Sequence, residues 1–197
     1  MPSTMGHFIR WAVGLARPET QTTEAERECL VRHAAGRKRL AEIGVWHGVT
    51  TRLLRQAMAQ DGIICAVDPY TVGRLGFSTP QVIAHHNVNR CRIGHVHWLR
   101  ATGVEAAKDP LVTLAPIDFL FIDGDHSYEG LKGDWESWSG LIAPGGVVGL
   151  HDSLPTPTRP IHDAGSVRYT AEVIRRDLRF EVVEEVDSLT VLLHRVS

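Results

Sequence analysis

Ile117-Asp118-Phe119-Leu120-Phe121-Ile122-Asp123-Gly124-Asp125-His126-Ser127-Tyr128 and Gly145-Gly146-Val147-Val148-Gly149-Leu150-His151-Asp152-Ser153 decide the fold of this 197-residue chain. Each begins as an apolar strand and ends in a carboxylate, Asp123 in the first and Asp152 in the second. Between them Glu129 to Ile142 is expected to form a helix, ended by Pro144 and the two glycines after it. A crossover of that length makes the two strands parallel. Neighbouring strands lie about 4.8 Å apart, so the two terminal carboxylates can converge on one cation or one substrate. Open α/β sheets bind their ligands at that edge.

The same alternation extends in both directions. Upstream, Gln21 to Ala35 has a helical pattern, Arg39 to Val45 is a short apolar strand, Thr50 to Gln60 is helical and Gly62 to Asp68 is a second buried strand. A glycine- and proline-punctuated stretch follows, then a helix at Thr79 to Arg90, a strand at His95 to Ala101 and a short helix at Gly103 to Lys108. Downstream, Leu154 to Gly165 is a loop with three prolines, followed by a helix at Val167 to Asp177 and strands at Phe180 to Val186 and Ser188 to His194. The last two are joined so tightly at Asp187 and Ser188 that they form an antiparallel hairpin. The expected fold is therefore α/β: a Rossmann-like, doubly wound sheet, mostly parallel, with one antiparallel strand in a C-terminal hairpin.

Composition narrows the function. A chain of this length with 43% apolar residues is expected to form a single domain, 1–197, with an N-terminal helical segment at 1–38 and a substrate-side loop at 154–165. The net charge of −2, with no basic stripe, argues against a nucleic-acid partner. Cys29, Cys65 and Cys91 are odd in number and lack metal spacing, which reads as reduced thiols in a cytoplasmic protein. No apolar run approaches the roughly 18 to 20 residues of a membrane span. Met5 to Ala16 is short and moderately amphipathic; it is expected to pack on the domain or cover the site, with docking to a membrane surface or partner as the alternative.

Glu42-Ile43-Gly44-Val45-Trp46-His47-Gly48 lies where the first strand turns into a helix. Gly44 and Gly48 allow a sharp bend and a close approach to a ligand. Asp68 ends the second strand twenty residues after Gly48, where a carboxylate can accept hydrogen bonds from ribose hydroxyls. A nicotinamide dinucleotide calls for Gly-x-Gly-x-x-Gly, and this turn has Val45 and Trp46 where the close-approach glycine would fall. No Gly-Lys-Ser/Thr occurs at a strand end either. A nucleoside ligand without a pyrophosphate remains, and S-adenosylmethionine is the obvious one.

On these residues the chain resembles the class I S-adenosylmethionine-dependent methyltransferases. The turn Glu42-x-Gly44-x-x-x-Gly48, Asp68, the run Phe121 to Gly130, Pro144-Gly145-Gly146 and His151-Asp152-Ser153 are similar to the branch that holds small-molecule and sugar O-methyltransferases. The methylmannose polysaccharide 1-O-methyltransferases are one sugar-modifying group of that branch, though no residue singles them out. The resemblance covers about Leu40 to Ser153. It implies a cofactor held by Glu42, Gly44, Trp46, Gly48, Asp68, Ala101, Thr102 and Asp123, and a small hydroxyl acceptor near Asp123 and Asp152. Arg, His and Asp in the loop after Ser153, with few aromatics, favour a sugar or glycoside over a flat catechol. A homodimer is compatible with the class.

In cation-dependent relatives the acid ending the fourth strand and an Asp-Asn pair ending the fifth bind Mg²⁺. Asp123 and Asp152 match two of these ligands, and Ser153 stands where the Asn would be, as a hydroxyl able to coordinate the ion or one of its waters. The general base of those relatives, a lysine, falls on His126, whose usual pKa near 6.5 suits it to take a hydroxyl proton. His151 is the competing base, although strand alternation predicts that it points away from Asp152. Asp125 is expected to cap the following helix or to touch the ligand, His162 and Asp163 to be solvated, and Trp135 and Trp138 to belong to the core. His85, His86, His95 and His97 read as structural. Two rivals remain, a nicotinamide-dependent oxidoreductase and a methyltransferase-like binding subunit without activity.

Overall fold

The protein is described by a computed structural model over residues 4–73 and 76–196. Arg74 and Leu75, within the glycine- and proline-punctuated stretch, and residues 1–3 and 197 lie outside the described residues. The elements run α1 (Thr4–Ala12), α2 (Glu24–Ala34), β1 (Arg39–Ile43), α3 (Val49–Ala57), β2 (Ile63–Val67), α4 (Thr79–Val88), β3 (His95–Leu99), α5 (Gly103–Ala106) and α6 (Pro110–Thr113). Then come β4 (Ile117–Ile122), α7 (Tyr128–Trp138), β5 (Ile142–Leu150), α8 (Gly165–Glu172), β6 (Phe180–Val186) and β7 (Leu189–His194).

The seven strands form one sheet in the order β3-β2-β1-β4-β5-β7-β6. Strands β1 to β5 pair in parallel, while β7 is antiparallel to both β5 and β6, so β7 alone is reversed. The chain winds outward from β1 through β2 to β3, then returns to place β4 on the other side of β1. That reversal opens a crevice beyond the carboxyl ends of β1 and β4. Register keeps the strand ends level: Ile43 pairs with Val67 and Ile122, Val67 with Leu99, and Ile122 with Leu150. Residues just beyond those positions therefore converge.

Each sheet face is covered by helices, as apolar runs in β1, β2, β4 and β5 require. Cys29, Leu30 and Ala34 of α2 and Leu54 of α3 pack with Leu40, Ile64 and Phe119 on one side. Trp135 and Trp138 of α7 and Tyr169 of α8 pack with Ile122, Leu150 and Leu192 on the other, so both tryptophans are core as expected. The expected helix Glu129 to Ile142 is shorter: α7 ends at Trp138, a 3₁₀ turn spans Ser139–Leu141, and Ile142 already begins β5. Ile142 pairs with Ile117, and the register shifts before Phe119 meets Val147. The Pro144-Gly145-Gly146 run thus lies in an irregular strand start rather than ending the helix, with Gly145 at φ +76°. Helix α6, with Pro110 in its first turn and Asp109 accepting from the Leu111 amide as its cap, went unforeseen because it is a single turn.

Candidate active site

The turn after β1 is shaped by contact with the turn after β4. Gly44 has φ +92°, and a Cβ there would lie 2.0 Å from the Asp123 carbonyl oxygen, so only glycine fits. Asp123 in turn donates its backbone N–H to Ile43 (2.8 Å). Gly48 has φ +67° and opens α3. Asp68, expected as the ribose acceptor, spends much of its carboxylate on the protein itself. Its Oδ2 accepts from the Val45 and Trp46 amides at 3.1 and 2.9 Å, and its Oδ1 accepts from the Tyr70 amide at 2.8 Å. Trp46, itself at φ +48°, stacks on His47 with centroids 4.4 Å apart.

A cavity of about 600 Å³ opens above these turns. Glu42, Gly44, Trp46, Asp68, Ala101, Thr102 and Asp123 all line it, while Gly48 stands behind, with its Cβ position against Val88 and Ala84. Among the described lining residues there is no lysine or arginine, but there are Glu42, Asp68, Asp123, Asp125, Glu129 and Asp134. That wall repels a pyrophosphate and suits a ligand with a positive sulfonium and ammonium. Glu42 is buried, and its Oε2 has no hydrogen-bond partner. Burial, opposed by the nearby Thr51 hydroxyl and reinforced by the Asp123 and Asp68 charges, pushes its carboxyl well above the usual range. Asp134, a lining residue the sequence reading missed, is raised to about 6 by burial and then by the Asp125 charge.

The second half of the site gathers at the ends of β4 and β5. His126 Nε2 lies 3.6 Å from Asp123 Oδ1 and 3.6 Å from Asp152 Oδ2, and the side chain is 37% exposed toward the cavity. Its loop is pinned from both sides. Asp125 Oδ1 accepts from the Ser127 amide (2.9 Å), and Ser127, not Asp125, is the N-cap of α7. The His126 carbonyl accepts from the Ser166 amide (2.9 Å), while the Ser166 hydroxyl donates to the Asp152 carbonyl (2.7 Å).

His151 corrects the alternation argument. β5 ends at Leu150, and His151 and Asp152 form a turn in which Asp152 adopts φ +50°. The rule that successive side chains face opposite ways holds only within extended strand. Consequently His151 and Asp152 share one side: His151 Nδ1–H donates to Asp123 Oδ1 at 2.7 Å and lies 3.8 Å from Asp152 Oδ1. The ring is buried and does not line the cavity. On its far edge Nε2 is 3.4 Å from Glu26 Oε2, an acid of α2 that the sequence reading passed over. Burial opposes a charge on His151, but the hydrogen bond to Asp123, the adjacent Glu26 carboxylate and the charges of Asp123 and Asp152 outweigh it and raise its pKa to about 10. Glu26 is held down to about 2: burial works against it, and the adjacent His151 together with the bonds from Ser188 and Thr23 prevails.

The expected magnesium site fares differently. Ser153 turns away, its buried hydroxyl 2.9 Å from the Leu150 carbonyl, 3.1 Å from the Ser188 carbonyl and 2.7 Å from Thr190 Oγ1. Asp152 Oδ2 is bound by the Arg159 guanidinium from the proline-rich loop. Asp123 Oδ1 is bound by His151. The donors that still converge, Asp123, His126 and His151, are mostly imidazole nitrogen. Magnesium takes oxygen ligands and keeps waters, so this set does not fit it.

The N-terminal segment reaches the same edge. α1 packs through Phe8 on Phe77 and Trp11 on His86, His7 stacks on His47, and Glu19, Thr20 and Gln21 line the cavity. Burial, with the His7 charge adding to it, lowers the His47 pKa to about 4. Of the residues read as structural, His85 stacks on Trp98 and His97 bonds Asp109. His162 and Asp163 are exposed.

The sheet with its single reversed strand, and a crevice with a glycine turn and an acidic wall, are the architecture expected of a methyltransferase domain. Residues 41–153 match a methyltransferase-domain family, Methyltransf_24, and the chain belongs to it. A curated relative, the uncharacterized protein y4gI of Sinorhizobium fredii, is 31% identical over 157 residues, which is 75% of this chain. The chain spans only 16% of that relative's length. Two solved structures share the fold. Cofactor-bound Rv0187 from MTB has a TM-score of 0.72 at 15% identity, covering 100% of this chain and 92% of that one. An O-methyltransferase from Bacillus cereus in complex with SAH has a TM-score of 0.67 at 18% identity, covering 99% and 92%. No helix among the described residues is long and apolar enough to cross a membrane.

Proposed function

We propose that this protein transfers the methyl group of S-adenosylmethionine to a hydroxyl of a small polar acceptor, a sugar or glycoside, with His126 as general base. The observation that carries the reading is the position of His126 Nε2, at the cavity and 3.6 Å from a carboxylate oxygen of each strand end. The two carboxylates flank one edge of the imidazole and leave its open side to the acceptor.

The acceptor oxygen attacks the methyl carbon as the carbon–sulfur bond breaks, and that electron pair stays on sulfur in S-adenosylhomocysteine. The acceptor proton passes to His126 Nε2. Because the displacement needs little covalent help, alignment and deprotonation set its rate. Burying the sulfonium beside the acidic wall favours cofactor binding, and the loss of that charge on transfer loosens the product. Magnesium has no part in this reading. Arg159 neutralises Asp152 and His151 neutralises Asp123, which leaves two carboxylates with cations of the protein's own. The name of the Bacillus cereus neighbour agrees with oxygen as the atom methylated. Arg159, Gln21 and Glu129 around the mouth supply polar groups suited to a sugar rather than an aromatic ring. All three cysteines are buried and free, and we assign the protein to a reducing, cytoplasmic setting.

The test is to incubate the protein with S-adenosylmethionine and a panel of simple methyl glycosides, free sugars and catechol, following S-adenosylhomocysteine release and the mass gain of one methylene on the acceptor. Methylated glycoside is expected. Methylated catechol alone would replace the sugar by an aryl acceptor. Binding of NAD but not S-adenosylhomocysteine in calorimetry would refute the reading altogether.

A further inference from the structure

We infer that Glu26 is a positioning residue of the methyl-transfer site, acting through His151 on Asp123 and His126; the inference rests on the methyltransferase reading above. Glu26 belongs to the first turn of α2, where a glutamate ordinarily closes a capping box from the solvent side. It does close one: its Oε2 accepts from the Thr23 amide at 2.7 Å, and Thr23 Oγ1 accepts from the Glu26 amide at 3.1 Å. Yet the residue is 0% exposed. A cap does not need that burial, and glutamate is almost never fully buried unless it is paired.

The pairing runs toward the site. Oε1 accepts from the Ser188 amide (2.9 Å) and hydroxyl (2.7 Å), which fixes the carboxylate against the β6–β7 turn. Oε2 faces His151 Nε2 at 3.4 Å, while His151 Nδ1 bonds Asp123 on the opposite edge of the ring. The imidazole thus has a carboxylate at each nitrogen, hydrogen-bonded at Nδ1 and in charge contact at Nε2, with the Phe121 ring packed edge-on at a centroid distance of 6.4 Å. A carboxylate at each nitrogen favours one orientation of the ring, and the Asp123 carboxylate it bonds is held with it. That carboxylate is one of the two that His126 faces. A chain of contacts therefore runs from a helix cap outside the cavity to the proposed base, and outer partners of this kind typically contribute tenfold to hundredfold in activity.

Glu26→Gln keeps the size of the side chain and an oxygen for Ser188 but replaces the carboxylate oxygen facing both His151 and Thr23 by an amide nitrogen. With the acceptor that the panel above yields, kcat should fall by about tenfold to a hundredfold while KM for S-adenosylmethionine stays within about twofold. In ¹H–¹⁵N spectra of the imidazoles in the S-adenosylhomocysteine complex, the His151 and His126 signals should move and those of His97 and His194 should not. Thr23→Ala removes the hydroxyl half of the same cap and its bond to Asp187 without touching His151; it should lower the melting temperature and leave kcat near wild type. Parallel loss of kcat in both variants, or unmoved His151 and His126 signals in Glu26→Gln, would overturn the inference and leave Glu26 as a cap. Should the wild type methylate nothing in the panel, the function proposed above fails, while the imidazole spectra still decide whether Glu26 positions His151 and His126.

Discussion

On the proposed reading, the cofactor half of the cavity and the acceptor half are built by different means. At the cofactor half, local backbone turns do the work: Gly44 at φ +92° against the Asp123 carbonyl, and Asp68 accepting amides two and twenty-odd residues away. At the acceptor half the working groups come from four distant segments, Glu26, the Asp123–His126 turn, the His151–Asp152 turn and Arg159, joined by side-chain contacts. Backbone turns carry a signature in residue type and spacing. In side-chain networks the strand-end motifs carry a signature, but partners such as Glu26 and Arg159 are fixed by three-dimensional proximity and carry none. The first half should therefore fail in binding when mutated, and the second in turnover.

The largest expected effect tests that division directly. His126→Ala should lower kcat by about 10² to 10⁴ with S-adenosylhomocysteine affinity little changed, measured by steady-state kinetics beside calorimetry. His151→Ala is the control, since its ring is buried away from the cavity and reaches the acceptor only through Asp123. It should cost less kcat and more stability. A His126→Ala enzyme with most of its activity beside a dead His151→Ala enzyme would transfer the base to His151.

On the cofactor side, Asp68→Ala should weaken S-adenosylhomocysteine binding by about 1 to 3 kcal/mol, the scale for lost hydrogen bonds to a charged acceptor. The structure adds a second consequence, because three backbone amides lose their acceptor at once. The melting temperature of the free protein should drop as well. Affinity unchanged in calorimetry would remove Asp68 from the cofactor and leave it as a brace of the turn.

The elements were legible where periodicity and punctuation are strong. β1, β2, β4 and the β6–β7 hairpin fall within a residue or two of their expected limits, because each is an apolar run between turn residues. Helix ends were harder. Trp138 closes α7 because a 3₁₀ turn and the irregular start of β5 consume Ser139 to Gly146, a pairing with Ile117 that no local signal announces. His151 was misdirected by a rule valid only in extended strand, and the φ of +50° at Asp152 is not written in an aspartate. Thr23-x-x-Glu26 is visible as a capping box, but its burial against Ser188 depends on a hairpin 162 residues away in sequence. Arg159 on Asp152 likewise needed the loop's path.

Acidity and alkalinity should expose the buried pair in the acceptor half. Glu26 has its pKa lowered from 4.5 to about 2, so its contribution to stability is present above about 4.5 and fades as pH falls toward 2. His151 is raised from 6.5 to about 10, so its contribution is full below about 6.5 and fades as pH rises toward 10. The melting temperature should peak between those limits and decline on both sides. In His151→Gln the alkaline decline should flatten, and an unchanged slope there would assign it to other groups.

The smallest expected effect is a change of less than about twofold, and it bears on what the acceptor half uses for positive charge. Cation-dependent relatives hold a metal at the ends of the fourth and fifth strands, and the sequence offers Asp123, Asp152 and Ser153 for the same purpose. In the folded protein Ser153 is spent on Leu150, Ser188 and Thr190, Arg159 binds Asp152, and His151 binds Asp123. A divalent ion would have to share one carboxylate with a guanidinium and the other with an imidazole, and charged hydrogen bonds of that kind are the strong ones. Methyl transfer should accordingly persist in EDTA, and added Mg²⁺ should not raise it beyond about twofold, against the tens of fold or more expected when an outer or inner partner of an essential metal is lost. Arg159→Ala sharpens the test by freeing Asp152: turnover should fall, and added Mg²⁺ should restore part of it in this variant alone. Loss of wild-type activity in EDTA with recovery in Mg²⁺ would show that the ion displaces Arg159, and the two halves of the cavity would then differ in a metal as well as in their construction.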